Sequence, residues 1–113
     1  MERIGDVELH VVDSDLEDRN QVGLVMDAFR AKNKGAIMVM FTAGERPGIH
    51  VAVTDDIIAQ GVQAGDIAKA FAAATGGKGG GRPHFASAGV GDPGLLPSTR
   101  AQASTIVRGV LKV

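Results

Sequence analysis

The sequence predicts an α/β fold: a single domain whose mixed β-sheet of about four to five strands carries packed helices, in the order β-α-β-β-α-β-α. Three observations predict it. Stretches of two-residue apolar alternation and stretches of helical spacing succeed one another along the chain. One run, Ala36 to Thr42, is apolar almost throughout, as a central strand covered on both faces must be. The 113 residues suffice for one hydrophobic core and are too few for two.

Val7, Leu9 and Val11 alternate with Glu8 and His10, the period of a strand with one buried face. Ser14-Asp15-Leu16-Glu17 has the form of a helix capping box, in which the serine oxygen accepts from a downstream N–H and the glutamate reaches back. Val22, Val25, Met26 and Phe29 follow at helical spacing. Lys32, Asn33 and Lys34 suit the last turn, and Gly35 suits a left-handed cap. After the Ala36–Thr42 strand, Ala43-Gly44-Glu45-Arg46-Pro47-Gly48 is turn chemistry. Ile49, Val51 and Val53 then alternate as the antiparallel hairpin partner. The first two strands, with a helix between them, should be parallel.

Thr54-Asp55-Asp56 can start a short helical turn that Gly61 interrupts. A second long helix is expected from about Ala64–Asp66 to Thr75, burying Ile67, Ala68, Phe71 and Ala74. Phe85 to Gly89 reads as a short fourth strand and Gly91-Asp92-Pro93-Gly94 as a turn. Ser98 is placed to cap a last helix with Ala103, Ile106, Val107, Val110 and Leu111 on one face. That stripe can serve the core or a partner copy; a domain this small needs the cover for its core.

Between the second long helix and the fourth strand stands Gly76-Gly77-Lys78-Gly79-Gly80-Gly81-Arg82-Pro83, with five glycines in eight residues. Glycine loses the most backbone freedom on ordering, and the run has few side chains to pack. Its position between two ordered elements favours a structured loop over a linker. Successive N–H groups there can form an anion-binding nest, with Lys78 and Arg82 adding positive charge. The glycines can also serve to let the helix and strand pack closely.

The stretch fails the tests for nucleotide loops. A Walker loop needs Ser or Thr after Gly-Lys, but Gly79 follows Lys78, and Ala72 stands where the first glycine belongs. The dinucleotide fingerprint counted from Gly77 places its last glycine on Arg82, in a helix-to-strand rather than strand-to-helix context. Metal chemistry finds as little. His10, His50 and His84 are widely spaced and there is no cysteine, hence no disulfide framework or thiolate site. His10 and His50 occupy alternating strand positions, where a solvent-facing or hydrogen-bonded histidine is the plain reading. His84, beside Arg82, is the histidine placed for function, though a loop-surface role is the plainer one. Asp55-Asp56 reads as a helix start, and Ser87 and Ser104 have no base near them in sequence.

Composition narrows the classes further. The chain is 44% hydrophobic and 22% charged, ordinary for a globular domain. Phenylalanine is the only aromatic type, which argues against single-strand readers built on Tyr or Trp platforms. A net charge of −1 means that nucleic-acid binding must come from a local patch, for which Lys69, Lys78, Arg82, Arg100 and Arg108 are candidates. Scattered surface cations are the alternative. The N-terminus lacks a signal-peptide pattern, and no segment reaches the roughly 20 apolar residues that span a bilayer. A cytoplasmic protein is expected.

Gly79-Gly80-Gly81-Arg82-Pro83 followed by Phe85-Ala86-Ser87-Ala88-Gly89 resembles the signature of the DHHA1 family, in the form found in the C-terminal domain of alanyl-tRNA synthetases. The likeness extends over nearly the whole chain, including the Val7–Val12 strand, AIMVMFT, Val51-Ala52-Val53-Thr54 and Ala64-Gly65-Asp66. Related phosphodiesterases of the DHH type usually have histidine directly after the three glycines, where Arg82-Pro83 stands here. The chain departs from the synthetase pattern at His84 (usually an acid), Ser87 (usually glutamine) and Val90 (usually a second glycine).

The resemblance implies that residues 1–113 are one non-catalytic domain, a fragment of a longer chain. It would grip the outer corner of alanine tRNA, where the D- and T-loops meet, and support aminoacylation and editing by the rest of the parent synthetase. The contact residues it points to are Lys78, Gly79, Gly80, Gly81, Arg82 and His84, with Arg100 and Arg108 as flanking cations. It implies no cofactor in this chain, ATP and zinc belonging to other domains of the parent. The competing readings are the substrate-binding domain of a DHH-type phosphodiesterase and a module that dimerises its parent through the last helix.

Overall fold

The alternating and apolar runs pair into one sheet. A computed structural model describes residues 2–16, 18–44 and 46–112. The strands are β1 (Glu2–Ile4), β2 (Val7–Ser14), β3 (Ala36–Thr42), β4 (Gly48–Val53), β5 (Gly79–Gly81) and β6 (Phe85–Gly89). The helices are α1 (Arg19–Lys32), α2 (Asp55–Ile58), α3 (Ala64–Thr75), α4 (Leu96–Ala101) and α5 (Ala103–Leu111), with a 3-10 turn over Pro93–Leu95. The sheet order is β1-β2-β3-β4-β6-β5. As expected, β2 and β3 are parallel and β3 and β4 antiparallel; β6 then joins β4 antiparallel.

The sheet has six strands rather than four to five. Both additional strands are short edges without an alternating apolar signal. In β1 only Ile4 is buried, and Gly5 turns the chain with φ +59°. In β5 all three residues are glycine, so no side-chain pattern exists to be read.

Each face of the sheet is covered differently. On one face Leu9, Ile37, Val39, Ile49, Val51, Val53, Ala86 and Ala88 share a core with Ile67, Ala68 and Phe71 of α3 and with Ala103 and Val107 of α5. On the other, Val22, Met26 and Phe29 of α1 close over Ala36, Met40 and Ala52. The α5 stripe is thus packed on the core, with Ile106, Val110 and Leu111 partly buried at its margin. Since α1 lies on β3 and β4, the β6 side of its face stays open.

Two helix boundaries and one stripe residue differ from expectation. The first helix is capped by Asp18, whose carboxylate accepts from the Asn20 N–H at 2.7 Å. Ser14 instead ends β2, and its Oγ accepts from the Leu16 N–H at 3.2 Å. The other half of the expected capping box, Glu17, lies outside the described residues. Val25 is 37% exposed, outside the buried stripe of Val22, Met26 and Phe29. Finally, Ser98 is not a cap: it sits inside α4 and donates back to the Leu95 carbonyl at 3.0 Å, while a break at Gln102 separates α4 from α5.

Candidate nucleic-acid interface

The glycine run is neither a linker nor a nest. Its centre is an edge strand, hydrogen-bonded to β6 with Gly79, Gly80 and Gly81 opposite Ala88, Ser87 and Ala86. The geometry explains the composition. A Cβ on Gly79 would stand 2.7 Å from the carbonyl oxygen of Ala68 in α3, closer than any side chain can approach backbone. Gly81 has φ +152°, and a Cβ there would meet Ala86 Cα at 2.7 Å. The glycines therefore let α3 and β6 close on β5, leaving a ribbon of backbone at the sheet edge.

Three cations flank that ribbon. Lys69 on α3 brings Cε to 3.7 Å from where a Gly80 Cβ would be. Lys78 enters β5 and Arg82 leaves it, both exposed. Their Cα atoms are about 13 Å apart by the rise of an extended chain, at opposite ends of the strand. Among the described residues none of the three makes an ion pair. Arg82 and His84 also have backbone duties in the turn: the Arg82 N–H donates to Phe85 O at 3.0 Å, and His84 O accepts from Val53 N–H at 3.1 Å. Pro83 O accepts from Ala64 N–H at 2.8 Å, which fixes the turn to the start of α3.

Arg100 and Arg108 are not brought to this edge. Arg100 of α4 reaches Asp13 through three contacts of 3.1–3.3 Å, with its guanidinium carbon 5.8 Å from the Phe41 ring centre. Arg108 of α5 lies 3.3 Å from Glu2 in β1, the strand at the far end of the sheet order from β5. The Ser104 hydroxyl also donates to Glu2, and this bond, with Arg108 beside it, holds the Glu2 carboxyl below its ordinary pKa.

A groove opens beside Lys78 on the α1 face, with a volume of about 1020 Å³. Leu16, Val22 and Pro47 form apolar parts of its lining, and Arg46, Lys78, His50, Thr42 and Ser87 contribute polar ones. His50 is buried in the floor, its Nδ1 2.8 Å from Ser87 Oγ and its Nε2 3.3 Å from Thr42 Oγ1. Ser87 thus has a base beside it after all. The two are 37 residues apart in sequence and meet because β4 and β6 pair in a register that sets His50 opposite Ser87. Sequence spacing holds no sign of that register, and Arg46 was likewise hidden in turn chemistry. His10 is held elsewhere, edge-on to Phe29 with ring centres 5.1 Å apart. Among the described residues no group of His, Asp and Glu is placed to hold a metal, and no helix is long and apolar enough to cross a membrane.

Comparison with known proteins gives one consistent family. The DHHA1 domain matches residues 6–109. An alanine–tRNA ligase of Desulforamulus reducens is 38% identical over 84% of this chain and 11% of its own length. Alanine–tRNA ligases of Lacticaseibacillus paracasei and Fusobacterium nucleatum are 33% and 32% identical over 94% and 98% of this chain. The chain spans about an eighth of the length of these relatives, 11–13%. The fold is similar to that of the C-Ala domain of Aquifex aeolicus alanyl-tRNA synthetase, with a TM-score of 0.79 at 21% identity over 99% of this chain and 97% of that one.

Proposed function

The chain belongs to the DHHA1 domain family, and from that premise we propose that it is a tRNA-binding appendage of an alanine–tRNA ligase. It holds the outer corner of alanine tRNA, where the D- and T-loops meet. The rest of the parent enzyme, its partner in this reading, performs aminoacylation and editing in the cytoplasm and holds the ATP and zinc those reactions need.

One observation carries the proposal: Lys69, Lys78 and Arg82, free of ion pairs among the described residues, flank an edge strand of three glycines. Folded RNA is recognised mainly through its shape, phosphates and 2′-hydroxyls. A ribbon without side chains lets a phosphate backbone approach closely, and the flanking cations supply charge without aromatic stacking. The alanine–tRNA ligase relatives support reading that RNA as alanine tRNA.

The test is a binding titration of the 113-residue chain with alanine tRNA and with a generic single-stranded oligonucleotide, at two salt concentrations. We expect preference for the tRNA and, in Lys78→Ala/Arg82→Ala, a loss of about tenfold or more with the fold intact. Equal affinity for the two nucleic acids would sink the proposal. Unchanged affinity in the double variant would remove the glycine edge from it.

A further inference from the structure

We infer that the crevice between α4 and the carboxyl ends of β2 and β3 docks a basic, apolar segment of a protein partner. A lysine or arginine of that segment pairs with Asp15, and a large apolar side chain beside it lies on Phe41, Leu96 and Pro97. The inference goes beyond the RNA reading and does not rest on it.

Position and shape come first. Among the described strands β2 and β3 are the one parallel pair. Their carboxyl ends open on a crevice of about 610 Å³, faced by Leu96, Pro97 and Arg100 of α4. Open α/β sheets bind their ligands outside the carboxyl ends of parallel strands, and the volume falls within the roughly 300–1,000 Å³ of ligand pockets. Phe41 gives the crevice a fixed floor: it is buried and stands edge-on to Phe71 of α3, with ring centres 5.9 Å apart.

Charge selects the partner. Asp13, Asp15 and Arg100 are the charged residues of the described lining. Three contacts of 3.1–3.3 Å commit Arg100 to Asp13. Asp15 is exposed and makes no ion pair among the described residues. One negative charge is left over, which repels a phosphate and attracts a cation. A bare metal ion gains nothing from Phe41, Leu96 and Pro97, so the cation comes on an apolar body. Leu95, next to Leu96 in the chain, is 39% exposed and carries the apolar surface beyond the crevice. A peptide covers that extension and a free amine does not. The glycine edge β5 is three strands away from β3 in the sheet order, so this surface and the cationic edge are separate.

The experiment follows backbone amide signals of the 113-residue chain by NMR while capped Leu-Lys-Leu, Ala-Lys-Ala or Leu-Glu-Leu tripeptide, or AMP, is added. Leu-Lys-Leu is expected to shift the amides of Asp13, Asp15, Thr42 and Leu96 and to bind about threefold or more tighter than the other two peptides. Asp15→Lys should weaken Leu-Lys-Leu about fivefold and turn the preference toward Leu-Glu-Leu. Leu95→Ser should weaken Leu-Lys-Leu about threefold. Both positions are exposed, and an unchanged amide spectrum elsewhere shows that each variant is folded. Equal binding of Leu-Lys-Leu and Leu-Glu-Leu would overturn the inference, and so would Ala-Lys-Ala binding as tightly as Leu-Lys-Leu. Leu95→Ser without effect would reduce the surface to a crevice for a small amine and overturn the peptide. AMP shifting these signals more strongly than Leu-Lys-Leu would assign the crevice to a nucleotide and overturn it as well.

Discussion

Individual glycines in this chain do opposite things, and the difference can be measured. Gly79 faces the Ala68 carbonyl with no room for a methyl group, so Gly79→Ala must push α3 away from the sheet edge. By analogy with overpacked cores this should cost about 1–3 kcal/mol in a urea unfolding experiment. Gly23 lies inside α1, and a Cβ added there meets nothing within 4 Å. Gly23→Ala should stabilise the fold by about 0.5–1 kcal/mol, since it removes backbone freedom from the unfolded chain and improves helix propensity. Two glycine-to-alanine changes of the same sign would mean that the close approach of α3 to β5 is not what the glycine run serves.

Between elements, the joint of β3, β4 and α2 is held by one buried threonine. Thr54, 2% exposed, accepts from the Ala36 N–H at 3.1 Å and donates to Asp56 at 2.6 Å. Thr54→Val keeps the shape but leaves that N–H without its partner, at an expected cost of about 1–2 kcal/mol. Asp56 is exposed, yet its pKa is lowered from the ordinary 3.8, first by the Thr54 hydroxyl and then by the Gly35 backbone. A lowered folded-state pKa adds stability above the unfolded value, and that stability is lost as pH falls through the folded one. Asp56→Asn should therefore be less stable than the parent chain at neutral pH, with the gap closing as the solution is acidified below 3.8. A gap independent of pH would assign the loss to packing and not to charge. Elements with a repeating apolar pattern, such as Ala36–Thr42 and Ala64–Thr75, were legible in the sequence because burial writes itself into spacing. The edge strands β1 and β5 were not, having three residues each and almost nothing to bury. The candidate site divides the same way. Lys78, Arg82 and the glycines stand in one run, whereas His50 and Ser87 meet only through the pairing of β4 with β6, a long-range fact that no local pattern encodes.

Across the whole molecule the charge balance is near zero but unevenly spread. At the β1–β2 side of the sheet, Glu2 and Asp13 are matched by Arg108 and Arg100. At the β5 side, Lys69, Lys78 and Arg82 have no acidic partner among the described residues. Acids stand near both ends of that edge, Asp66 in the first turn of α3, whose start is bonded to Pro83, and Asp92, whose N–H donates to the Thr75 carbonyl just before the glycine run, so the difference between the ends comes from Arg46. The Lys78 end, which also opens on Arg46, is therefore the stronger anion contact, and Lys78→Ala should weaken tRNA binding more than Arg82→Ala. The same count sets the salt dependence. Release of counterions from about three or four phosphates predicts a slope of about −2 to −4 in a plot of log affinity against log salt. A chain of net charge −1 has little general attraction to add to that local patch. The isolated chain should bind weakly, with a dissociation constant on the order of 10⁻⁶ to 10⁻⁴ M at physiological salt. Joined to a parent enzyme that holds the same tRNA elsewhere, it gains from effective concentration. A slope steeper than about −6 in the isolated chain would require cations far from the glycine edge, and the footprint drawn from Lys69, Lys78, Arg82 and Arg46 would then be too small.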